Sequence, residues 1–396
     1  MKEVRLRSGR EASVERRHPW IFSRALCSTE GLEEGNVVDV TDSKGRFFAR
    51  GYYEVGTIAI RILTFNKSEA IDEVFWAHRL KSALLMRECM GLAKGRHEAF
   101  RLVHGEGDGL PGLIIDIYGE VAVMQAHTLS IHTRRREIAE VLRVVYPSLS
   151  AIFYKSNDTL PSHVQERVLD EVLYGDVKTI EHVVAEENGI KFYPDILRGQ
   201  KTGFFLDQRL NRQRLQQLCY GRRVLNMFCY TGGFSMYALK GGARQVVSLD
   251  SSAKAIHQLE RNLSLNFTDS ELKAHSSVVS DAFKYLYDLE VGAFDIVILD
   301  PPAFAKRREV LKNGLQGYRK LNTEALRKMT SGSLLFTFSC SQVVSVDEFR
   351  QTLFTSALQA KRDISILQQF GQFADHPISI YHPEGEYLKG FLLYVR

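Results

Sequence analysis

The sequence lacks any apolar run of the length, about 18 residues, that a membrane-spanning helix requires. Its beginning, MKEVRLRSGREASVERRHPW, is charged where a secretion signal carries an apolar segment. Both absences predict a cytoplasmic protein that has no contact with a membrane.

Cysteine is scarce, and its spacing excludes two kinds of site. The five cysteines are widely separated and never arranged as CxxC; they are Cys27, Cys89, Cys219, Cys229 and Cys340. An odd number with this spacing supports neither a disulfide framework nor a zinc site, so we expect no metal. In a reducing compartment, a single cysteine of this set can act as a nucleophile.

Phosphate-binding loops are also missing. The sequence has no GxxxxGK(S/T) motif for a nucleoside triphosphate. A glycine-rich stretch, GEGDGLPG at 105–112, precedes a strand instead of linking a strand to a helix, and it therefore predicts a tight turn.

The composition is that of a folded protein with several domains. Hydrophobic residues make up 44% and charged residues 25% of the 396 positions, and the formal net charge is +5. A chain of this length predicts two or three domains. We expect a β-rich domain over residues 1–70, a middle α+β domain over 71–180 and an α/β domain over 181–396, with the second boundary at about 170–180.

Apolar strands alternate with helices in the last of these domains. The predicted strands cover residues 224–228, 245–250, 277–280, 294–300 and 332–338. This alternation indicates a parallel, doubly wound sheet with right-handed crossovers. In such a sheet, ligands bind outside the carboxyl ends of the strands.

The strand ends carry the pattern of a site for a nucleoside-containing cofactor. The first strand leads into FCYTGGFS at 228–235, where glycines let the backbone approach a ligand closely. The second ends in Asp250, where an acid can bind ribose hydroxyls. The fourth ends in Asp300-Pro301-Pro302, whose prolines stop the strand and leave the Asp300 carboxylate facing the crevice. The first turn is not GxGxxG, which disfavours a nicotinamide dinucleotide.

Residues 224–302 resemble the signature motifs of class I S-adenosylmethionine-dependent methyltransferases, and Asp-Pro-Pro resembles the fourth motif of enzymes that methylate nucleobases. The resemblance implies that the first turn holds the methionine part, the acid after strand two the ribose, and the residues after strand three the adenine. The implied cofactor-binding residues are Asn226, Phe228, Tyr230, Thr231, Gly232, Phe234, Asp250, Ser251, Asp281, Ala282, Asp300 and, from a loop before strand one, Gln208.

Nearly the whole chain resembles the large-subunit rRNA 5-methylcytosine methyltransferases of the RlmI type. The matching sequences are RRHPWIF at 16–22, GDGLPG at 107–112, GQKTGFFLDQR at 199–209, FSCS at 338–341, HP at 376–377 and PEGEYLKG at 383–390. This resemblance implies an N-terminal PUA-like RNA-binding domain, a middle α+β domain and a Rossmann-like catalytic domain. It further implies rRNA as the partner, naked or partly assembled, with Arg16, Arg17, Lys201 and Arg209 as RNA-binding residues; a homodimer stays open.

Cys340 follows the fifth strand, so we expect it to face the same crevice as Asp300. Attack of its thiolate at C6 of cytosine turns C5 into a carbon that can accept a methyl group. Asp300 then acts as the acid or orienting group on the edge of the base. The group that removes the C5 proton is not assigned.

Two other functions stay open beside cytosine C5 methylation. One is a methyltransferase that modifies a guanine nitrogen, N7 or N2, in rRNA without a covalent intermediate; Cys340 is the residue that distinguishes it. The other is a catalytically inactive RNA-binding protein of ribosome assembly. The presence of Asp250, Asp300 and Cys340 argues against the latter.

Overall fold

The computed structural model describes residues 2–165 and 168–396, which form two compact units. The first unit contains the described residues up to Glu186 together with Pro194–Phe204 and Ala374–Gly385. The second contains Glu187–Tyr193, Phe205–Phe373 and Glu386–Arg396. Each unit is therefore completed by segments that are distant in sequence. The division into three domains stays a prediction.

The predicted β-rich residues form a five-stranded sheet in the first unit. Its spatial order is β1-β3-β4-β5-β2, in which β1 and β3 are parallel and the other neighbours antiparallel. Val38, Val40 and Ile60 are fully buried, as the alternation of side chains along a strand requires. The elements are β1 (Lys2–Arg5), α1 (Ala12–Glu15), β2 (Trp20–Phe22), β3 (Val37–Thr41), β4 (Phe47–Tyr53) and β5 (Ile58–Thr64).

A second five-stranded sheet of the first unit has the order β10-β9-β8-β7-β6, with helices before and between its strands. Its elements are α2 (Glu73–Cys89), β6 (Ala99–His104), β7 (Leu113–Tyr118), β8 (Val121–Ala126), α3 (Leu129–Thr133), α4 (Arg135–Val145), β9 (Ala151–Tyr154), α5 (Ser162–Gln165), β10 (Glu171–Tyr174) and α6 (Val177–His182). Strand β10 pairs antiparallel with β9. Residues 171–174 therefore belong to this sheet, and the boundary expected at about 170–180 stays a prediction.

The glycine-rich turn at 105–112 is held by a buried arginine. Arg87 is fully buried and forms a bidentate ion pair with Asp108, with Nη2 and Oδ2 2.8 Å apart. The same guanidinium donates to the carbonyl oxygen of Asp375 over 2.7 Å. A Cβ at Gly107 would lie 1.9 Å from the carbonyl oxygen of Pro377, so only glycine fits there. The prediction of a tight turn before β7 is confirmed.

A seven-stranded sheet forms the centre of the second unit. It is preceded in the chain by a two-stranded sheet of β11 (Ala185–Glu187) and β12 (Ile190–Phe192). The strands of the large sheet are β13 (Arg223–Met227), β14 (Gln245–Asp250), β15 (His275–Val279), β16 (Ile296–Leu299), β17 (Leu334–Ser339), β18 (Ile364–Phe370) and β19 (Lys389–Val395). The helices are α7 (Arg209–Leu218), α8 (Gly233–Lys240), α9 (Ala253–Ser264), α10 (Asp269–Leu272), α11 (Ala282–Asp288), α12 (Leu311–Lys328) and α13 (Val346–Ala360).

The strand order β15-β14-β13-β16-β17-β19-β18 decides where a ligand can bind. Strands β13 to β17 are parallel, which confirms the prediction, whereas β19 pairs antiparallel with both β17 and β18. Separate hydrophobic clusters contribute to the core of this unit, one around Leu299 and Phe349 and another around Ile298 and Phe336. Chain order reverses between β13 and β16, so a crevice opens at the carboxyl ends of these two strands.

Candidate active site

The two predicted catalytic residues lie at the ends of adjacent parallel strands. Asp300 directly follows β16, Cys340 directly follows β17, and these strands pair in parallel register. The Sγ of Cys340 lies 3.9 Å from the carbonyl oxygen of Pro301, within hydrogen-bonding distance for sulfur. The structure thus brings the thiol against the Asp-Pro-Pro turn, as the sequence predicts.

Asp300 is held by an amide and kept partly neutral by its surroundings. Gln208 donates its Nε2 to Oδ2 of Asp300 over 3.0 Å, and Asn211 in turn donates to Oε1 of Gln208 over 2.6 Å. Burial and the neighbouring carboxylate of Asp207 raise the pKa of Asp300 to about 7. Asp300 can therefore carry a proton near neutral pH and donate it to a nucleobase.

Asp207 places a second carboxylate at the site. Its Oδ2 accepts a hydrogen bond of 2.6 Å from the hydroxyl of Tyr387. Its Oδ1 is buried and has no hydrogen-bond partner among the residues that the structure describes. A buried acceptor of this kind is costly unless a ligand satisfies it.

The segment after Asp300 is anchored from α12 and from the residue after Cys340. Tyr318 and Ser341 join their hydroxyls over 2.9 Å, and the backbone N–H of Ala305 donates to the same Ser341 oxygen over 3.3 Å. The rings of Phe304 and Tyr318 lie 4.7 Å apart. The Asp-Pro-Pro turn and the Cys340 turn are therefore fixed to each other.

The turn after β13 takes an unusual backbone path. Phe228, Tyr230 and Gly232 all have positive φ angles, of 57°, 47° and 88°. A Cβ at Gly232 would lie 2.7 Å from Cγ of Leu259, so another residue there would be strained by the φ angle and would displace Leu259. Strain of this sort in non-glycine residues is typical of a ligand-binding turn.

Asp250 ties this turn to the next strand end. Its Oδ2 accepts from the backbone N–H of Tyr230 and its Oδ1 from that of Ser252, both over 2.9 Å. The N–H of Ser280 donates to the carbonyl oxygen of Asp250 over 3.1 Å, which brings Asp281 alongside. Asp281 also caps α11 by accepting from Lys284 N over 2.9 Å. The three strand ends of the predicted cofactor site therefore meet.

Two buried oxygens at this edge are suited to a polar ligand. Oδ1 of Asn226 and Oγ1 of Thr231 have no hydrogen-bond partner within the described ranges. The amide of Asn226 is fixed by donation to Ser235 over 2.8 Å. The remaining predicted cofactor residues have different settings: Phe234 is buried against Phe338, Ala282 is buried, and Ser251 is exposed. The donor set fits a nucleoside-containing cofactor.

The predicted RNA-binding residues fall into two groups. Arg16, Arg17 and Lys201 are exposed, and Arg17 lies over the ring of Phe65 at 5.2 Å. Arg209 is different, because it is only 3% exposed and its Nε donates to Glu187 over 3.3 Å. Burial and the ion pair argue against a contact between Arg209 and an RNA phosphate, and its RNA-binding role stays a prediction.

The other cysteines do not compete with Cys340 as a nucleophile of this crevice. Cys219 and Cys229 are buried, and burial raises the pKa of the Cys219 thiol to about 11 and that of Cys229 well above its usual range. Cys27 and Cys89 are exposed on the first unit.

The sequence alone assigned no role to three residues near the site, Tyr318, Tyr387 and Lys389. Tyr387 and Lys389 lie in the PEGEYLKG motif at 383–390, and this motif was the sequence signal that could have identified them.

Two features are absent from the residues that the structure describes. Within residues 2–165 and 168–396, no cluster of His, Cys, Asp or Glu side chains is arranged to hold a metal ion. None of the helices in these ranges is both long and apolar enough to cross a membrane.

Comparison with known proteins agrees with this architecture. Residues 162–351 match the family model of S-adenosylmethionine-dependent methyltransferases, and residues 4–65 match that of PUA-like domains. Among solved structures, a protein described as a SAM-dependent methyltransferase from Streptococcus mutans superposes with a TM-score of 0.84 at 24% identity, covering 100% of both chains. A methyltransferase complexed with SAH gives a TM-score of 0.85 at the same identity and coverage.

The fold and the site define a methyltransferase that uses S-adenosylmethionine and carries a PUA-like domain. Ribosomal RNA large subunit methyltransferase I from Photobacterium profundum is 40% identical over 99% of both chains. The protein of that name from Escherichia coli O139:H28 is 37% identical, over 98% of this chain and 97% of its own. The chain belongs to the family of the ribosomal RNA large subunit methyltransferases I.

Proposed function

We propose that the protein methylates C5 of a cytosine in large-subunit rRNA through a covalent bond between Cys340 and C6. The observation that carries this proposal is the placement of Cys340 against the Asp-Pro-Pro turn, with Sγ 3.9 Å from the carbonyl oxygen of Pro301. A nucleophile and a carboxyl group that can donate a proton, at neighbouring strand ends, suit methylation at carbon. Methylation of a ring nitrogen needs no nucleophile.

The reaction follows from these two side chains. The Cys340 thiolate forms the S–C6 bond, and the C5–C6 π bond opens. Its electron pair is stabilised as N3 takes the proton of Asp300. Bound S-adenosylmethionine supplies a methyl group that C5 accepts. Loss of the C5 proton to a base and of the thiolate from C6 then restores the aromatic ring and frees Cys340, while N3 returns its proton to Asp300.

The neighbours of Asp300 suit it to the role of proton donor. A carboxyl group of ordinary pKa is ionised at pH 7 and has no proton to give. The pKa of Asp300, raised to about 7 by burial and Asp207, keeps both forms accessible. Gln208 fixes the carboxyl plane by donating to Oδ2.

The rRNA substrate is proposed from the names of the relatives and from the PUA-like residues 4–65. A cytosine within a helix cannot enter such a crevice, so the target is looped, single-stranded or flipped out. We infer naked or partly assembled rRNA as the substrate, with Arg16, Arg17 and Lys201 on its phosphates, and hence a cytoplasmic location. A homodimer remains a prediction.

A covalent trap tests the carbon mechanism. RNA carrying 5-fluorocytosine at the target cannot lose a proton from C5, so the adduct accumulates. We expect a protein–RNA band that survives denaturation, is absent in Cys340→Ala and persists in the control Cys27→Ser. Turnover by Cys340→Ala on normal RNA would instead favour methylation of guanine N7 or N2. An inactive assembly protein would bind rRNA without binding S-adenosylmethionine.

A further inference from the structure

Lys389 brings a positive charge to the turn that carries Cys340. It begins β19, in register with Ser339 of β17, the residue before Cys340. Its Nζ donates to the carbonyl oxygen of Ser341, the residue after Cys340, over 2.6 Å. It also donates to the carbonyl oxygen of Tyr387 over 2.7 Å. The ammonium is thus fixed beside this turn and interacts electrostatically with the Cys340 thiol.

Stability does not explain a lysine at this position. Its side chain is only 3% exposed, and its hydrogen bonds go to two uncharged carbonyls. Burial lowers the pKa of Lys389 to about 8, whereas Cys340, Glu386 and Glu348 act to raise it. A buried charge without a close carboxylate partner is costly, and a methionine of similar length fills the same space without that cost. We therefore expect the positive charge of Lys389 to have a functional role.

We propose that Lys389 is a positioning residue that stabilises the thiolate of Cys340, a proposal that rests on the covalent function proposed above. A cation beside a thiol favours the ionised form, and the thiol proton passes to solvent. The two carbonyl bonds hold the ammonium in place, so little reorganisation is needed when the thiolate forms.

Of the two groups that the structure describes as interacting electrostatically with Cys340, Lys389 and Tyr318, Lys389 is the cation. Tyr318 on α12 interacts electrostatically with Cys340, but its pKa is raised by burial and it stays neutral at pH 7. Glu348 on α13 and Glu386 carry the opposite sign and act on Lys389. Both carboxylates favour the protonated lysine, and neither can itself stabilise a thiolate.

The test measures the reactivity of Cys340 in the full-length protein. Alkylation by iodoacetamide is followed between pH 5.5 and 10 by mass spectrometry of the peptide that contains Cys340, for about ten pH values. Lys389→Met removes the charge, and Lys389→Arg retains it. The matched control is Lys328→Met, because Nζ of Lys328 also donates to two backbone carbonyls, of Tyr287 and Leu289, each over 2.7 Å.

We expect the midpoint of wild-type alkylation to lie below the ordinary thiol value of about 8.5. Lys389→Met should move it up by about one pH unit or more and slow alkylation at pH 7 about tenfold. Lys389→Arg should restore most of the rate, and Lys328→Met should match the wild type. The wild-type protein alone can overturn the proposal, and it does so if the pH midpoint of its alkylation is about 8.5 or higher.

Equal profiles for the wild type and Lys389→Met also overturn it, and so does an equal shift in Lys328→Met. The affinity for S-adenosylmethionine, measured by calorimetry, reports whether each variant is folded. Alkylation needs no RNA, so its result is independent of the 5-fluorocytosine trap. A trap that fails while alkylation still depends on Lys389 overturns the covalent function and leaves the lysine–cysteine pair intact.

Discussion

Gln208 and Asp300 are joined by a hydrogen bond of 3.0 Å from the amide Nε2 to the carboxyl Oδ2, although 91 positions of the chain lie between them. The amide orients the carboxyl group and favours its ionised form, whereas burial and Asp207 favour the protonated form. The balance leaves Asp300 near half-protonation at neutral pH. A carboxyl group in this state costs stability, and such groups are typical of functional sites.

Asp300→Asn should therefore stabilise the protein above neutral pH. The folded pKa, about 7, lies above the unfolded value, so the native state binds the extra proton and stability falls as pH rises between about 4 and 7. Asparagine cannot ionise and avoids this loss. We expect a gain of about 2 to 4 kcal/mol at pH 8, shrinking towards pH 4, from denaturant unfolding at several pH values. Methylation should be lost in the same variant.

Asp295→Asn is the control of opposite sign. Arg223 lowers the pKa of Asp295 through a hydrogen bond and an ion pair of 2.7 Å. The stabilisation from this pair is present above the unfolded pKa and is lost as pH falls through the folded value. Asp295→Asn should thus destabilise at pH 8 and become neutral in acid. A difference between Asp300→Asn and the wild type that is independent of pH contradicts the prediction.

Gly232→Ala should disrupt the cofactor turn more than its φ angle alone explains. Gly232 and Gly332 share a φ of 88°, but only at Gly232 would a Cβ meet a neighbour, at 2.7 Å from Leu259. Gly332→Ala is thus a matched control, with an expected cost of about 1 to 2 kcal/mol. Gly232→Ala should cost more and weaken S-adenosylmethionine binding at least about tenfold, measured by calorimetry. Equal effects in the two variants would count against a steric role for this turn.

Asp250→Asn should weaken cofactor binding because both carboxylate oxygens accept backbone N–H groups, from Tyr230 and Ser252. An asparagine retains only one acceptor and leaves one donor unsatisfied, at about 1 to 3 kcal/mol. We expect a dissociation constant raised by about tenfold or more. The control Asp281→Asn keeps its single capping bond to Lys284 and should leave stability almost unchanged. Identical affinities for Asp250→Asn and the wild type are the opposing outcome.

Substitutions of Arg209 and of Lys201 should separate an effect on stability from an effect on RNA binding. Arg209→Met leaves Glu187 with one buried cation fewer and should destabilise by about 3 kcal/mol, with an unchanged salt dependence of RNA affinity in the folded fraction. Lys201→Gln changes an exposed cation and should lower the slope of log affinity against log salt by about 1, with little effect on unfolding. Filter binding at several salt concentrations and thermal unfolding measure the two effects. The reverse pattern would support Arg209 as an RNA contact.

Strands with strong apolar patterns could be read from the sequence, and edge strands could not. Gln245–Asp250 has the predicted bounds because it is a buried parallel strand whose side chains are apolar on both faces. The sequence ISILQQF of β18 is largely exposed, so its composition carries no such signal. The predicted third strand, 277–280, overlaps the half-buried β15 at His275–Val279 but is shifted along it. Pairing, rather than propensity, sets these bounds.

The candidate site shows the same limit. Asp300 and Cys340 could be placed together because each follows a parallel strand, and such strands end at one edge of the sheet. Lys389 and Tyr387 reach this edge only because β19 pairs antiparallel with β17, a register that no local pattern reveals. For Arg209, the sequence shows the charge but not the ion pair with Glu187.

The order of β17, β19 and β18 in the sheet differs from the order in which these strands are synthesised. β19 lies between β17 and β18, yet it is synthesised after both. While the chain grows, the edge of β17 stays open, and a nascent chain with an open edge is prone to pair wrongly. Lys389 and Tyr387 arrive with that last strand. The sheet can therefore be completed only after β19 is made, and a chain that lacks β19 also lacks the ammonium of Lys389 beside the Cys340 turn.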